Sequence, residues 1–331
     1  MRKSVSFVCA AAALAWGTAA ADVGFQRLEV PGSPGFAMGL WYPTDAETPA
    51  EPNTPFRQAL ARDADPAGAD LPLVLISHGD GGWMGGHAGT ALALAEAGYV
   101  VAALEHAGNN SEDESASPAA WVRTRPQEIS RAIDWLYGDW PGAAQLDPDA
   151  IGVFGFSAGG YTALAAVAGA PDFALGAPHC DTHPAEFTGE IGMIAEIGRP
   201  AGPEPVTGDP RIGAVVAAAP AFGFAFPEAA LAEVGVPVQI WSGADDVRVP
   251  HTTNGAPLAV ALPGAEAHVV ENAGHFAFMA PCNPRLQEIN PRIWEMVCVD
   301  ADGFDRAAFQ AEFNRAVIGF LDRAFGRDAR R

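Results

Sequence analysis

A serine flanked by two glycines, Gly155-Phe156-Ser157-Ala158-Gly159, marks where an apolar run from Ile151 gives way to the alanine-rich stretch 158–168. A serine on a tight strand-to-helix turn needs small neighbours, because larger side chains there collide with the adjacent strand and helix. Such a turn lifts the Ser157 hydroxyl clear of the sheet and aims a helix N-terminus at it. A hydroxyl is a poor nucleophile at neutral pH: it needs a base to take its proton, and the base needs an orienting acid. Two later segments offer these partners in the order Ser, Asp, His. WSGADDVRVP places Asp245 and Asp246 just after the apolar run 236–242, and ENAGHFAF places His275 just after 265–271. Asp246 is the favoured acid and Asp245 the reserve, since a turn or cap role accounts for at least one of them.

Acyl transfer also needs N–H donors where negative charge develops. One donor is expected from Ala158, directly after the serine. A second is expected from Asp80, in Ser77-His78-Gly79-Asp80-Gly81-Gly82-Trp83, an HGxGG segment after the apolar run 71–77. The Asp80 carboxylate must then point away from the developing charge. His78 reads as a structural residue. Trp83, Phe156 and Phe276, with Phe222, Phe224 and Phe278, are candidates for lining an apolar acyl pocket, although aromatics at such spacings commonly belong to the core. His179-Cys180-Asp181-Thr182-His183 contains metal-ligand types but no complete four-ligand set, so neither a metal nor a cofactor is expected.

These residues have to be held by an alternating β/α frame. Strands are expected at 36–43, 71–77, 99–105, 150–156, 212–219, 236–242 and 265–271, and helices at 87–97, 126–137, 158–168, 253–262 and 305–324. The central runs are continuously apolar, as in parallel strands covered on both faces. A leading antiparallel hairpin over 22–43 is also expected. Residues 44–70 read as a surface excursion and 108–124 as a mobile loop. Residues 171–210, rich in Gly and Pro, read as a cap over the crevice at the strands' carboxyl ends.

Composition narrows the setting. Arg2 and Lys3 precede an apolar stretch ending in Ala19-Ala20-Ala21, the pattern of a secretory signal peptide over 1–21. Residues 22–331 then form one domain of an exported protein, periplasmic or secreted, without stable membrane insertion and monomeric. Forty acidic against nineteen basic residues give a net charge of −21, which disfavours nucleic acid and anionic lipid as partners. Among the cysteines left after export, Cys282 and Cys298 pair over a short loop, leaving Cys180 over; pairing of Cys180 with either stays open.

SHGDGG, GFSAGG, GADD and AGHFAFMAPC together resemble the α/β-hydrolase superfamily over nearly the whole mature chain. More narrowly, they are similar to exported bacterial proteins called predicted dienelactone hydrolases, related to platelet-activating-factor acetylhydrolases. Glu105-His106 resembles that group's strand-end motif, and RPQEISRAIDWL (125–136) its helix beside the sheet. The acetylhydrolases take their acid after the strand that follows the nucleophile helix. Here that place reads AAAPAFGFAF (217–226), without a carboxylate, which returns the acid to Asp245/Asp246. Dienelactone hydrolases use cysteine where this chain has Ser157. The resemblance implies a serine hydrolase acting on a small-molecule ester. A peptidase, amidase or thioesterase would share the same elbow, and a non-catalytic binding protein would use the same crevice.

Overall fold

The computed structural model describes residues 22–169, 171–186, 192–198 and 206–327. The expected signal peptide over 1–21, and parts of the expected cap, lie outside these residues. Nine strands form one sheet: β1 (Asp22–Val30), β2 (Phe36–Thr44), β3 (Ala61–Arg62), β4 (Leu71–Ser77), β5 (Val100–Leu104), β6 (Leu146–Phe156), β7 (Ile212–Ala218), β8 (Val238–Gly243) and β9 (Glu266–Val270). Their order is β3-β1-β2-β5-β4-β6-β7-β8-β9. β1 and β2 form the expected antiparallel hairpin, and β2 joins β5 antiparallel. From β5 to β9 every pairing is parallel. The two-residue β3 is a feature that the Pro- and Asp-rich excursion gave no sign of.

Helices cover both faces because alternate side chains of the central strands leave from opposite sides. Leu73, Leu75 and Val153 pack with α2 (Pro118–Gly138) and α3 (Ala158–Ala168). Val74, Ile76 and Phe154 pack with α1 (Ala88–Glu96) and the C-terminal helix Arg306–Ala324. Both layers bury the strands, which explains runs without polar alternation. β9 at the edge is the exception, with a mixed pattern of half-buried and exposed residues.

The structure corrects the reading of 108–124 as a loop throughout. α2 begins at Pro118, eight residues before the expected start, and runs on through Pro126. Pro118 sits in the first turn, where a missing N–H costs nothing. Trp121 and Val122, both fully buried, draw that turn onto the sheet. Pro126 cannot donate to the carbonyl of Val122, and the Tyr161 hydroxyl donates to it instead, at 2.8 Å. The helix survives its proline because α3 supplies the lost hydrogen bond.

Two short helices, Arg285–Ile289 and Pro291–Val297, also escaped the sequence reading. Neither buries a residue, although Leu286, Ile289, Ile293 and Val297 recur at helical spacing. The Cys282–Cys298 disulfide closes this segment, with Cα atoms 5.7 Å apart, and Cys180 is a free thiol. None of the described helices is long and apolar enough to cross a membrane.

Because this segment adds so little to the core, the disulfide is its main tether, and a loop of this length is worth about 3 kcal/mol. Reduction should therefore expose 283–297 to limited proteolysis before the sheet opens, with the first cuts mapped by mass spectrometry. First cuts elsewhere would show that packing, not the disulfide, holds it.

Candidate active site

The carboxyl ends of β4 to β9 face one edge of the sheet, and the chemistry-bearing residues gather there. β6 ends at Phe156, and Ser157 turns the chain into α3 with φ 56° and ψ −119°. A non-glycine residue in this region carries strain on the order of 1–3 kcal/mol, so the surroundings must hold it. They do: the Ser157 N–H donates to Ala218 O at 2.9 Å, and its carbonyl accepts from Ala221 N at 3.0 Å. A Cβ at Gly155 would fall on the carbonyl of Gly159, and one at Gly159 on the carbonyl of Ser77. Both glycines are required by close backbone approach.

His275 opens a short 3-10 turn beyond β9. Its Nε2 lies 3.0 Å from Ser157 Oγ and its Nδ1 lies 2.7 Å from Asp246 Oδ2. The arrangement fits Nδ1–H donating to the carboxylate, which leaves Nε2 to accept from the serine hydroxyl. Asp246 Oδ1 accepts from the N–H groups of Arg248 and Val249 at 2.9 and 2.8 Å. Asp246 is buried. Asp245 is exposed, and its N–H is spent on Ala273 O at 3.1 Å. Of the two aspartates, it is Asp246 that reaches the imidazole.

The glycine-rich segment after β4 runs alongside the serine: a Cβ on Gly79 would lie 3.5 Å from Ser157 Cβ. Among the described residues, neither Asp80 N–H nor Ala158 N–H donates to a protein acceptor. The Asp80 carboxylate accepts from Asn109 Nδ2 at 2.8 Å. Phe156 is buried rather than open to a crevice, its ring 4.9 Å from that of His275 and 5.2 Å from that of His87. Phe276 is half-buried with its ring edge-on to His275 at 5.1 Å, and Arg248 Cζ lies 5.1 Å above it. Trp83, also half-buried, leans on Phe56 at 6.3 Å. A cavity of about 410 Å³ opens elsewhere, between Arg27, Phe36, Glu105 and Glu112, and Ser157 does not line it.

Sequence reasoning missed the polar cluster beneath the glycine-rich loop. Arg125, fully buried on α2, donates to His78 O at 2.8 Å and to Gly79 O and Asn109 O at 3.0 Å each. His106 bridges Ser77 Oγ at 2.7 Å and Glu128 Oε2 at 2.6 Å, all three buried. Burial, reinforced by Arg125, holds His78 and His106 well below the ordinary histidine range, so both are neutral. Burial draws Arg125 down to about 10, opposed by Asp80 and Glu128, and leaves it charged. The signal was there in Arg125-Pro126-Gln127-Glu128 and Glu105-His106, but neither segment shows by itself that it meets the other.

Three comparisons bear on this arrangement. A family model described as BD-FAE matches residues 64–181, which include the HGDGG and GFSAG segments. "Putative esterase NocK" of Nocardia uniformis subsp. tsuyamanensis is 35% identical over 142 residues. That match spans 41% of this chain and only 38% of the relative's length. A ferulic acid esterase from Streptomyces cinnamoneus superposes with a TM-score of 0.61 over 93% of this chain and 91% of its own, at 19% identity. The chain has the α/β-hydrolase fold. The superposition and the parallel sheet with helices on both faces agree on that, as the sequence motifs led one to expect.

One group beside the glycine-rich loop makes stability sensitive to pH. Burial raises the Glu105 carboxyl to about 7, although Met84 N–H donates to it at 3.0 Å. A raised carboxyl pKa favours the protonated fold, so its contribution is full below about pH 4.5 and is lost as pH climbs through 7. Glu105→Gln keeps an acceptor for Met84 and cannot ionise. Its thermal midpoint should fall less than the wild type's between pH 5 and pH 8, by a difference on the order of 2 kcal/mol in stability. Parallel melting curves across that range would rule this out.

Proposed function

We propose that the protein is an exported serine hydrolase that cleaves carboxylic esters through an acyl-enzyme intermediate. The observation that carries this reading is the position of His275, within hydrogen-bond reach of Ser157 Oγ on one side and of Asp246 on the other. In this scheme His275 Nε2 takes the Ser157 proton as Oγ attacks the ester carbonyl. The oxyanion is met by the N–H groups of Ala158 and Asp80, each such donor being worth about 3–4 kcal/mol in the transition state. His275 then gives its proton to the departing alcohol. Water enters, loses a proton to the same nitrogen, and releases the acid. Asp246 holds the imidazole in the right tautomer and stabilises its charged form without itself being protonated.

The names of the similar proteins, an esterase and a ferulic acid esterase, favour ester over amide substrates. The serine at the elbow sets the chain apart from dienelactone hydrolases, which the motifs otherwise resemble. The disulfide and the leader-like start favour export.

Three measurements test the proposal. A fluorophosphonate should label the wild type and leave Ser157→Ala unlabelled. Hydrolysis of p-nitrophenyl esters should far exceed that of the matching anilides; anilide preference would shift the reading to an amidase. Asp246→Asn should lower kcat by about four orders of magnitude, as for an orienting aspartate elsewhere. Asp245→Asn should stay near the wild type, and equal losses in both would refute the assignment of the acid.

A further inference from the structure

Away from the Ser157 crevice, ligand-type side chains converge within the 171–210 insertion. The helix Gly176–Thr182 carries His179, and His183 caps its end, so two imidazoles four residues apart share one face. Their ring centroids are 4.7 Å apart and the planes nearly parallel, at 28°. Three residues further on, Glu186 turns back so that its Oε2 lies 2.8 Å from His179 Nε2. One donor atom from each of the three residues lies within 4.8 Å of the other two.

We propose that His179, His183 and Glu186 bind a divalent transition-metal ion of the zinc class, with water in the fourth position. Two imidazoles and one carboxylate suit zinc, and a tetrahedral ion with bonds of about 2.0–2.1 Å spaces its ligand atoms roughly 3.3 Å apart. The pair at 2.8 Å needs to open by about half an ångström, and the wider pairs to close by no more than about 1.5 Å, within reach of small side-chain rotations. The surroundings already orient the donors. His183 Nδ1 faces Thr182 Oγ1 at 2.9 Å and the carbonyl of His179 at 3.2 Å, which leaves Nε2 for an ion. Such an outer partner on the second ring nitrogen accompanies metal-bound histidines. The His179 ring is stacked on Phe224 at 4.3 Å and 25°. The His179 and Glu186 side chains are only 8% and 10% exposed. A helix-side ion pair needs one histidine; the second, on the same face with its Nδ1 already occupied, is what an ion explains. Cys180 packs against the apolar core and is not in the set.

The site also has a route to the crevice. Phe224 lies edge-on to Phe222, and Ala221, the residue before Phe222, donates its N–H to the Ser157 carbonyl. An ion here would fix the orientation of the His179 ring that stacks on Phe224 in the segment that follows β7.

The test uses the full-length mature chain without a histidine tag, stripped with chelator, reloaded with Zn2+ and desalted. About one equivalent of zinc should remain by elemental analysis, whereas Ca2+ and Mg2+ should wash out. His183→Ala and Glu186→Gln should each weaken zinc binding about tenfold or more in competition with a chromophoric chelator. Cys180→Ala and Ser157→Ala should bind as the wild type does, which separates this site from the ester chemistry. Failure of the wild type to retain zinc, unchanged affinity in both ligand variants, or loss in Cys180→Ala would overturn the assignment. Circular dichroism without metal checks that each variant folds, with His183→Gln as the substitute where His183→Ala does not.

Discussion

The site rests on a serine forced into a backbone conformation that serine does not favour. Ser157 is held at φ 56° because β6 must end and α3 must begin within a single residue. The hydrogen bonds from Ala221 and to Ala218 fix that residue from the end of β7 and the turn beyond it, and the carbonyls of Ser77 and Gly159 occupy the space that Cβ atoms on its glycine neighbours would need. Side-chain bulk on either glycine would push apart the strand, the helix and the loop after β4 together. The same tight packing carries the hydroxyl to the imidazole and brings the glycine-rich loop beside it. Geometry and strain have one origin.

A second layer of polar groups supports the first. The loop after β4 cannot form helix or sheet, so its carbonyls need partners, and a buried carbonyl without one costs free energy. Arg125 supplies them from α2, satisfying His78, Gly79 and Asn109 at once. Burying that guanidinium is costly in turn, and the carboxylates of Asp80 and Glu128 act on it to keep it charged. His106 then ties Glu128 back to Ser77 on β4. Helix, loop and two strand ends are thereby locked into one hydrogen-bonded unit.

Much of the frame could be read along the chain. The continuously apolar strands are legible because two helical layers cover them, and each begins or ends within about four residues of its expected limit. The early start of α2 was hidden by Asn110, Ser111, Pro118 and Pro126, residues that normally signal loops. Its cause is tertiary: Trp121 and Val122 are fully buried, and Tyr161 supplies the hydrogen bond that Pro126 cannot. The helices at 285–297 were hidden by the loop-type pairs Asn283-Pro284 and Asn290-Pro291, and the apolar residues they carry at helical spacing are left unburied.

The sequence by itself determined which chemistries were available: a serine between glycines at a strand-to-helix junction, and aspartate and histidine after later strands, in that order. Local spacing encodes turns and element ends, so these positions follow from neighbours a few residues away. Only the tertiary structure brings Asp246, and not Asp245, within hydrogen-bond reach of His275. Adjacent residues at a turn point in different directions, and the fold buries one beside His275 while leaving the other in solvent. It alone brought Arg125 under the loop at 78–80 and Glu186 against His179. Contacts of that kind depend on how whole elements pack against one another, and no short stretch of chain contains that information.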